Sequence, residues 1–195
     1  GIELGQGTDP LNPNTNKPLV ESSSPSIDQK GVIKNKAIIV RFTEALSAKS
    51  ITPDVFTLRQ SGVEVEGRLS LISQGRELLF KPTTALENNT DYAVEIVGVR
   101  NLAGNLLPTR IEFHFETGSQ LDTASPSILS ATPVNGTNNV PVNSPLIFEF
   151  NEQIDPTSLE TCNCYVNDIS LNRKAEGVFS LSDDKTILVF SPNQP

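Results

Sequence analysis

The stretch IIVRFTE at residues 38–44 decides the fold, because it occurs twice in the chain and its apolar residues alternate. It returns as LIFEFNE at residues 146–152, which stand 108 residues further along. Two more pairs of segments follow in the same order at an offset of 110 residues: EGRLSL (66–71) with EGVFSL (176–181), and LLFKP (78–82) with LVFSP (188–192). A repeat of this length is a whole domain, since solenoid and propeller units span about 20 to 50 residues. The sequence therefore predicts two homologous domains.

The repeat also sets the predicted domain organisation. Residues 1–17 contain Gly, Pro and Asn without an apolar period, which is typical of a leader or linker. The first domain is predicted at residues 18–118 and the second at 126–195, with a polar linker at 119–125. Because the sequence contains no Met, Gly1 is not expected to be a natural start, and the chain is expected to be a piece of a longer protein.

Period-two alternation of apolar residues predicts β-strands, because one face of each strand then points inward. The residues predicted to face inward in the first copy are, segment by segment, Ile38, Val40 and Phe42; Val63, Val65, Leu69 and Leu71; Leu78 and Phe80; Tyr92, Val94 and Ile96; and Ile111, Phe113 and Phe115. Of the second copy, Phe150 and Phe190 are predicted to be buried as well. The segment 45–51 suits one short helical turn.

About seven short strands per copy, with turn signals every 8 to 12 residues, indicate an all-β fold of two tandem Ig-like, fibronectin-III-like β-sandwiches. Tyr92 sharpens this prediction, since a Tyr near the start of the sixth strand and shortly after Leu86 is typical of the tyrosine corner. Its hydroxyl is expected to bond back to the backbone of the preceding turn.

Several short motifs in a fixed order resemble the bacterial Ig-like domain family named after S-layer proteins. They are Ser24-Pro25, FTEAL (42–46), FKP (80–82), Leu86 with Tyr92, and NLAGN (101–105) before FHFET (113–117). The resemblance covers residues 18–117 in full and 126–192 as a truncated copy. It implies tandem domains on secreted and cell-surface bacterial proteins, including adhesins, S-layer components and accessory regions of large enzymes. The family usually has Asp where Asn101 stands, so a cation role of that acid is not expected to transfer.

The second copy is predicted to be incomplete, since its last residue, Pro195, matches Ala85 and nothing answers residues 86–117. We expect an unpaired strand edge, which is a template for another chain, and three apolar positions without cover: Ile147, Phe179 and Phe190. Two explanations stay open. Either the native protein continues past Pro195, which we favour, or a neighbouring molecule donates strands.

Charge and hydropathy disfavour a nucleic-acid partner and a membrane span in this segment. A net charge of −8 and a pI of about 4.7 disfavour nucleic-acid binding, because a phosphate-binding surface needs an excess of Lys and Arg. No run of residues approaches the roughly 18 apolar residues of a membrane span. We therefore expect neither a nucleic-acid partner nor a membrane span in this segment.

The only histidine, His114, alternates with Phe113 and Phe115 and is predicted to lie on the surface beside Glu112 and Glu116. Without a second His, neither a Ser-His-Asp nor a Cys-His nucleophile has a base. We predict no catalytic residue, no bound cofactor and no enzyme activity.

The two cysteines, Cys162 and Cys164, are separated by one residue. Cys164 aligns with the apolar Phe56, so a buried reduced cysteine is the favoured interpretation, with a strained local disulfide as the alternative. Zinc requires more ligands than this pair supplies.

Carboxylates leave two further hypotheses. Glu152, Asp155, Asp183 and Asp184 are candidates for glycoside chemistry, but Glu152 recurs as Glu44 and Asp183-Asp184 beside Lys185 is typical of a solvated hairpin tip. Calcium is the stronger rival, because acidic tandem sandwiches stiffen their junctions with it. Its weak candidate ligands are Glu116, Asp122 and Asp155.

Carbohydrate binding favours exposed aromatic residues, and with Tyr92 assigned to the corner, Tyr165 is the one candidate. The sequence therefore predicts a non-catalytic spacer or adhesive module of an exported bacterial surface protein. The alternatives are a module that binds a glycan or host protein, and accessory domains of a large secreted enzyme. The expected partners are other domains of the same polypeptide and a surface or host protein or glycan.

Overall fold

The computed structural model describes residues 16–161 and 164–193 of the 195-residue chain. The chain divides into two compact units, Gly1–Asp122 and Thr123–Pro195, called unit 1 and unit 2 below. Most of the predicted leader, residues 1–15, lies outside the described residues. Within the described part, no helix is long and apolar enough to cross a membrane.

Unit 1 is built from short strands: β1 (Val20–Ser24), β2 (Gln29–Val32), β3 (Ile38–Phe42), β4 (Phe56–Gln60), β5 (Val63–Glu64), β6 (Gly67–Ile72), β7 (Glu77–Pro82), β8 (Asp91–Ile96) and β9 (Ile111–Thr117). They form two sheets, with strand orders β1-β3-β7-β6 and β2-β9-β8-β4-β5. The β2–β9 pair is parallel and the other pairs are antiparallel. Short 3-10 helices occupy Ala48–Ser50, Pro53–Val55 and Ser73–Gly75. The first of these lies within the predicted helical turn.

The core of unit 1 lies between its two sheets, as expected for an Ig-like sandwich. Side chains that alternate along β3, β7, β8 and β9 are nearly inaccessible to solvent: Ile38, Val40, Phe42, Leu78, Phe80, Tyr92, Val94, Ile96, Phe113 and Phe115. The prediction for these ten residues is confirmed. Their burial removes water from apolar surface on both inner faces, which is the main driving force for the fold.

The tyrosine corner is confirmed. Tyr92 is 1% exposed, and its hydroxyl accepts a hydrogen bond of 2.8 Å from the backbone N–H of Glu87. Burial raises the pKa of Tyr92, and the charge of Glu87 acts in the same direction, whereas the hydrogen bond from the Glu87 backbone lowers it. The bond fixes the turn before β8 to the body of the sandwich.

Unit 2 repeats the first sheet of unit 1. Its elements are β10 (Ile128–Thr132), β11 (Leu146–Phe150), α1 (Pro156–Thr161), β12 (Asn167–Asp168), β13 (Arg173–Lys174), β14 (Gly177–Leu181) and β15 (Ile187–Pro192). The sheet order β10-β11-β15-β14 matches β1-β3-β7-β6. The register matches too, since Val20 pairs with Phe42 where Ile128 pairs with Phe150, and an irregularity follows each pair. The β12–β13 pair corresponds to β4–β5.

Val63 and Phe150 are less buried than the sequence predicts. Val63 is 71% exposed, because the two-residue strand β5 lies at the edge of its sheet and pairs only with β4. Phe150 is only partly buried, since the described part of unit 2 has no second sheet of the kind that covers Phe42. Phe190, by contrast, is buried as a core residue at 2% exposure, so the expectation that it lacks cover is wrong. Its ring packs on Phe179, with centroids 4.9 Å apart.

Candidate functional site

A hollow of about 320 Å³ lies on the five-stranded sheet of unit 1 and is the candidate binding site. Ala93 forms its floor, because Ala93 pairs with Arg59 on β4 and with His114 on β9. A methyl side chain between two long ones lowers the surface at that point. Since Ala93 and His114 alternate with buried neighbours, this is the face of the sheet that points away from the core.

Ion pairs build one wall of the hollow. One carboxylate oxygen of Glu95 lies 2.7 Å from an Arg59 nitrogen and 3.1 Å from an Arg110 nitrogen, and Arg110 also reaches Glu112 at 3.0 Å. These side chains are 19% to 54% exposed, so each pair contributes at most about 1 kcal/mol to stability. Asp91 and His114 complete the charged lining. The hollow thus presents N–H donors and carboxylate acceptors side by side.

His114 lies on the surface, which confirms the prediction. Its side chain is 56% exposed and its Nε2 is 3.8 Å from a carboxylate oxygen of Glu112. The sequence pattern indicates His114 as a surface residue but does not identify its neighbours Arg59, Glu95 and Arg110. Charged residues alternate with apolar ones in these strands, and this pattern could have indicated the three residues. It becomes informative only once the register between the strands is known.

A second polar site joins two distant segments of unit 1. Asn101 is 1% exposed, and its Oδ1 accepts a hydrogen bond of 2.8 Å from the backbone of Asn105. Its Nδ2 therefore faces the other way and donates to a carboxylate oxygen of Glu44 and to the backbone oxygen of Asn16. The amide supplies the donors that Glu44 requires, whereas an acid at position 101 would place two carboxylates together. We call this contact the Glu44–Asn101 clasp.

The three calcium candidates have other roles in the structure. Glu116 forms an ion pair of 3.2 Å with Lys30. Asp122 exchanges two hydrogen bonds with the side chain of Asn35 through its own backbone. Asp155 caps α1, because its Oδ1 accepts from the backbone N–H and the hydroxyl of Thr157. Among the described residues, no group of three or more His, Cys, Asp or Glu could hold a metal ion. The calcium hypothesis stays a prediction.

Of the carboxylates considered for glycoside chemistry, Asp184 serves a turn. The backbone N–H of Lys185 donates to the carbonyl of Ser182, which makes 182–185 the predicted hairpin tip. The hydroxyl of Ser182 and the backbone and side chain of Thr186 donate to Asp184 and lower the pKa of its carboxyl group. A carboxyl group with a lowered pKa is a poor general acid. Lys185 itself is 5% exposed, so the prediction of a solvated tip is wrong for this residue.

Cys164 is disulfide-bonded and exposed, so the favoured prediction of a buried reduced cysteine is wrong for this residue. The alignment with Phe56 failed here because the described part of unit 2 has no second sheet to bury that position. Cys162 lies outside the described residues.

Tyr165 is 54% exposed, as predicted, but the ammonium group of Lys174 lies 4.3 Å from its ring centroid. One face of this ring is therefore already in contact with a cation.

Comparison with known families identifies the class of protein. A family model described as "Bacterial Ig-like domain" matches residues 14–117 and again 122–195. The chain belongs to this family, in two copies. Domains of the family are typically non-catalytic modules, and they point to surface or structural roles in extracellular or surface proteins.

Three solved structures are similar to the chain at low identity. The surface layer protein SbsC, domains 1–6, is 17% identical, with 91% of this chain and 22% of that chain covered and a TM-score of 0.44. CopC from Methylosinus trichosporium OB3b is 18% identical, with 52% and 93% covered and a TM-score of 0.42. An L,D-transpeptidase from Mycobacterium smegmatis is 14% identical, with 53% and 41% covered and a TM-score of 0.38. No curated protein matches the chain.

Proposed function

We propose that the chain is a non-catalytic spacer module of an exported bacterial surface protein, which holds a neighbouring domain away from its anchor. One observation carries this proposal: the same four-stranded sheet is built twice in one register, and in unit 1 a second sheet closes it into a sandwich. A closed sandwich whose core lies between two hydrogen-bonded sheets resists deformation as a whole, because no strand can leave without exposing the core.

Single-molecule force spectroscopy tests the spacer function. The chain is held at residue 16 and residue 193, and each unfolding step is recorded. We expect unit 1 to unfold in one step that releases about 30 to 36 nm, from roughly 3.3 to 3.6 Å per residue over the domain. Gradual extension of unit 1 without a force peak would contradict a spacer.

The hollow over Ala93 favours a second candidate function, the binding of a polar ligand such as a glycan or the surface of a host protein. Its alternating donors and acceptors match the hydroxyl groups of a sugar or a charged protein surface. An accessory domain of a secreted enzyme would use the same hollow, because it would bind the polymer on which the enzyme acts.

A glycan array, together with an extract of surface proteins immobilised on beads, tests this candidate. Arg59→Ala and Arg110→Ala remove donors from the hollow, and Arg68→Ala is the matched control because Arg68 is exposed on the other sheet. A binding function predicts that the first two variants lose retention on the ligand while the control keeps it. Equal retention by all three variants would exclude the hollow as the binding site.

A further inference from the structure

The parallel pair of unit 1 joins a strand near the start of the domain to the strand by which the chain leaves it. Gln29 on β2 lies beside Phe115 on β9, and just before β2 the backbone N–H of Asp28 donates to the carbonyl of His114 at 2.8 Å. Because the two strands run in the same direction, tension on the chain pulls β2 back toward its start and β9 onward past its end. The pair is therefore loaded along its length, in shear.

Backbone hydrogen bonds continue this pair beyond the ends of both strands. Val32 lies beside Thr117 at the end of the paired register. The N–H of Gly118 then donates to the carbonyl of Val32 at 2.9 Å, and the N–H of Lys34 donates to the carbonyl of Gln120 at 3.2 Å. The segment after β9 thus stays bonded to the segment after β2.

The side chain of Asn35 closes the far end of the pair. Its Nδ2 donates to the carbonyl of Asp122 at 2.8 Å, and its Oδ1 accepts from the N–H of Asp122 at 2.9 Å. A side-chain amide that exchanges both bonds with one residue reproduces the contacts of a strand residue. The pairing therefore reaches the last residue of unit 1. An ion pair of 3.2 Å between Lys30 and Glu116 also spans the two strands.

The direction of loading decides how such a pair breaks. Bonds loaded in shear stretch together and have to break together, because the force is shared along the whole pair. Bonds loaded from one end break one after another, since the force falls on a single bond at a time. Forced unfolding is governed by the rate of this rupture and not by equilibrium stability alone. The parallel pair is thus placed to resist a pull on both ends of unit 1.

We propose that residues 28–35 and 114–122 form a tension clamp, which bears the load on unit 1 and sets the force at which it unfolds. This rests on the proposed spacer function and adds to it the residues that carry the load. The clamp protects the core, because β9 also pairs with β8 in the interior of the same sheet. Asn35 is exposed, so its two bonds matter more under load than at equilibrium.

Two substitutions test the clamp as a matched pair. Asn35→Ala removes the two side-chain bonds to Asp122 within the clamp. Ser50→Ala also removes two side-chain bonds to the backbone, because the hydroxyl of Ser50 donates to the carbonyl of Ser47 at 2.8 Å and accepts from the N–H of Arg100 at 3.0 Å. These last two bonds lie outside the clamp. Thermal unfolding without force measures how much stability each variant loses at equilibrium.

The full chain is held at residue 16 and residue 193 under constant force, and the waiting time before the long step of unit 1 gives its unfolding rate. We expect Asn35→Ala to raise this rate about tenfold and Ser50→Ala to change it less than about twofold, since only the first removes bonds that break in the transition state. The two variants should lose similar stability without force. Asn35→Ala is expected to fold, because the side chain is exposed.

The point of attachment tests the clamp with all of its bonds in place. Lys36 is exposed and follows Asn35, so it stands where the pair ends at Asp122. Attachment through a reactive residue in place of Lys36, instead of at residue 16, loads the pair from that end. The bonds then open one after another, and we expect unit 1 to open at a force several-fold lower.

Three results would overturn the clamp: equal forces in the two attachment geometries, equal rates for the native chain and Asn35→Ala, or a rise with Ser50→Ala as large as with Asn35→Ala. The last result would show that the load spreads over all of unit 1. Each of them leaves the spacer function standing as long as unit 1 unfolds in one long step. Gradual extension of the native chain without a force peak would contradict the spacer function itself, and the clamp with it.

Discussion

Unit 1 and unit 2 share one sheet in one register but differ in how deeply that sheet is buried. Phe42 is 0% exposed beneath the second sheet of unit 1, whereas its counterpart Phe150 is partly exposed. The register is therefore set by the strands of the first sheet alone, through their alternation and turns. The full burial of Phe42, by contrast, depends on the second sheet. The difference shows that the two properties of a sandwich strand have separate causes.

The largest expected effect comes from deleting the same aromatic ring in both units. Phe42→Ala leaves a cavity in a closed core and is expected to lower the free energy of unfolding of unit 1 by about 3–5 kcal/mol. Phe150→Ala removes a ring that solvent already reaches, so we expect a loss of about 1–2 kcal/mol in unit 2. Hydrogen exchange in each unit as a function of denaturant measures both. Equal losses would contradict the difference in burial.

A smaller effect is expected at two equivalent glycines. A Cβ at Gly67 would lie 2.2 Å from the ring of Phe80, and one at Gly177 would lie 2.4 Å from the ring of Phe190. Phe80 is held from its other side by the stacked ring of Phe56, with centroids 4.9 Å apart. We therefore expect Gly67→Ala to destabilise unit 1 by about 1–3 kcal/mol.

Gly177→Ala is the equivalent substitution in unit 2 and is compared with Gly67→Ala. Phe56 corresponds there to the exposed Cys164, so Phe190 lacks the ring that stacks on Phe80 in unit 1. We expect Gly177→Ala to destabilise unit 2 less than Gly67→Ala destabilises unit 1, as measured by thermal unfolding of the two single variants. A larger loss in unit 2 would mean that its open side is already filled.

The smallest effect concerns Tyr92, which has no counterpart in unit 2. Tyr92→Phe removes the bond to Glu87 and should lower the stability of unit 1 by about 0.5–1.5 kcal/mol at neutral pH. Burial raises the pKa of Tyr92, so folding favours its protonated form. The stability that the buried, protonated hydroxyl of Tyr92 contributes is fully present below the pKa of an unfolded tyrosine, which is about 10. It is lost as the pH rises through the raised pKa of the folded protein.

The difference between the native chain and Tyr92→Phe should therefore shrink above about pH 10. Tyr165→Phe is the control, because Tyr165 is an exposed residue of unit 2. Urea unfolding of unit 1 between pH 7 and pH 11 measures the effect. A difference that stays constant or grows over this range would contradict the burial of the hydroxyl group.

The sequence predicted what short-range patterns control. Alternation identified the inward residues of β3, β8 and β9, and the spacing of Leu86 and Tyr92 identified the corner. It failed where a strand lies at an edge, as at Val63, and where burial depends on a sheet that the second copy does not repeat, as at Phe150 and Cys164. In both situations the local pattern is the same as in the core, and only the tertiary neighbours differ.

The candidate sites were less accessible to prediction. The hollow over Ala93 depends on which charged residues of β4, β8 and β9 lie side by side, and one sequence does not give the register between distant strands. The sequence predicts the Glu44–Asn101 clasp only in part: the repeat shows that Glu152 corresponds to Glu44, but it does not show that Glu44 contacts Asn101. Asn101 was noted only because the family that the sequence resembles usually has Asp at this position, and its spacing from Glu44 gives no such indication.

The most direct test of the central claim, that unit 1 is closed and unit 2 is open on one side, is a urea titration followed by two-dimensional amide NMR. We expect the cross peaks of β11 and β15 to disappear at a lower urea concentration than those of β3 and β7. Their midpoints should reflect a lower stability of unit 2 by several kcal/mol. A single transition, with the four strands losing their peaks together, would contradict it.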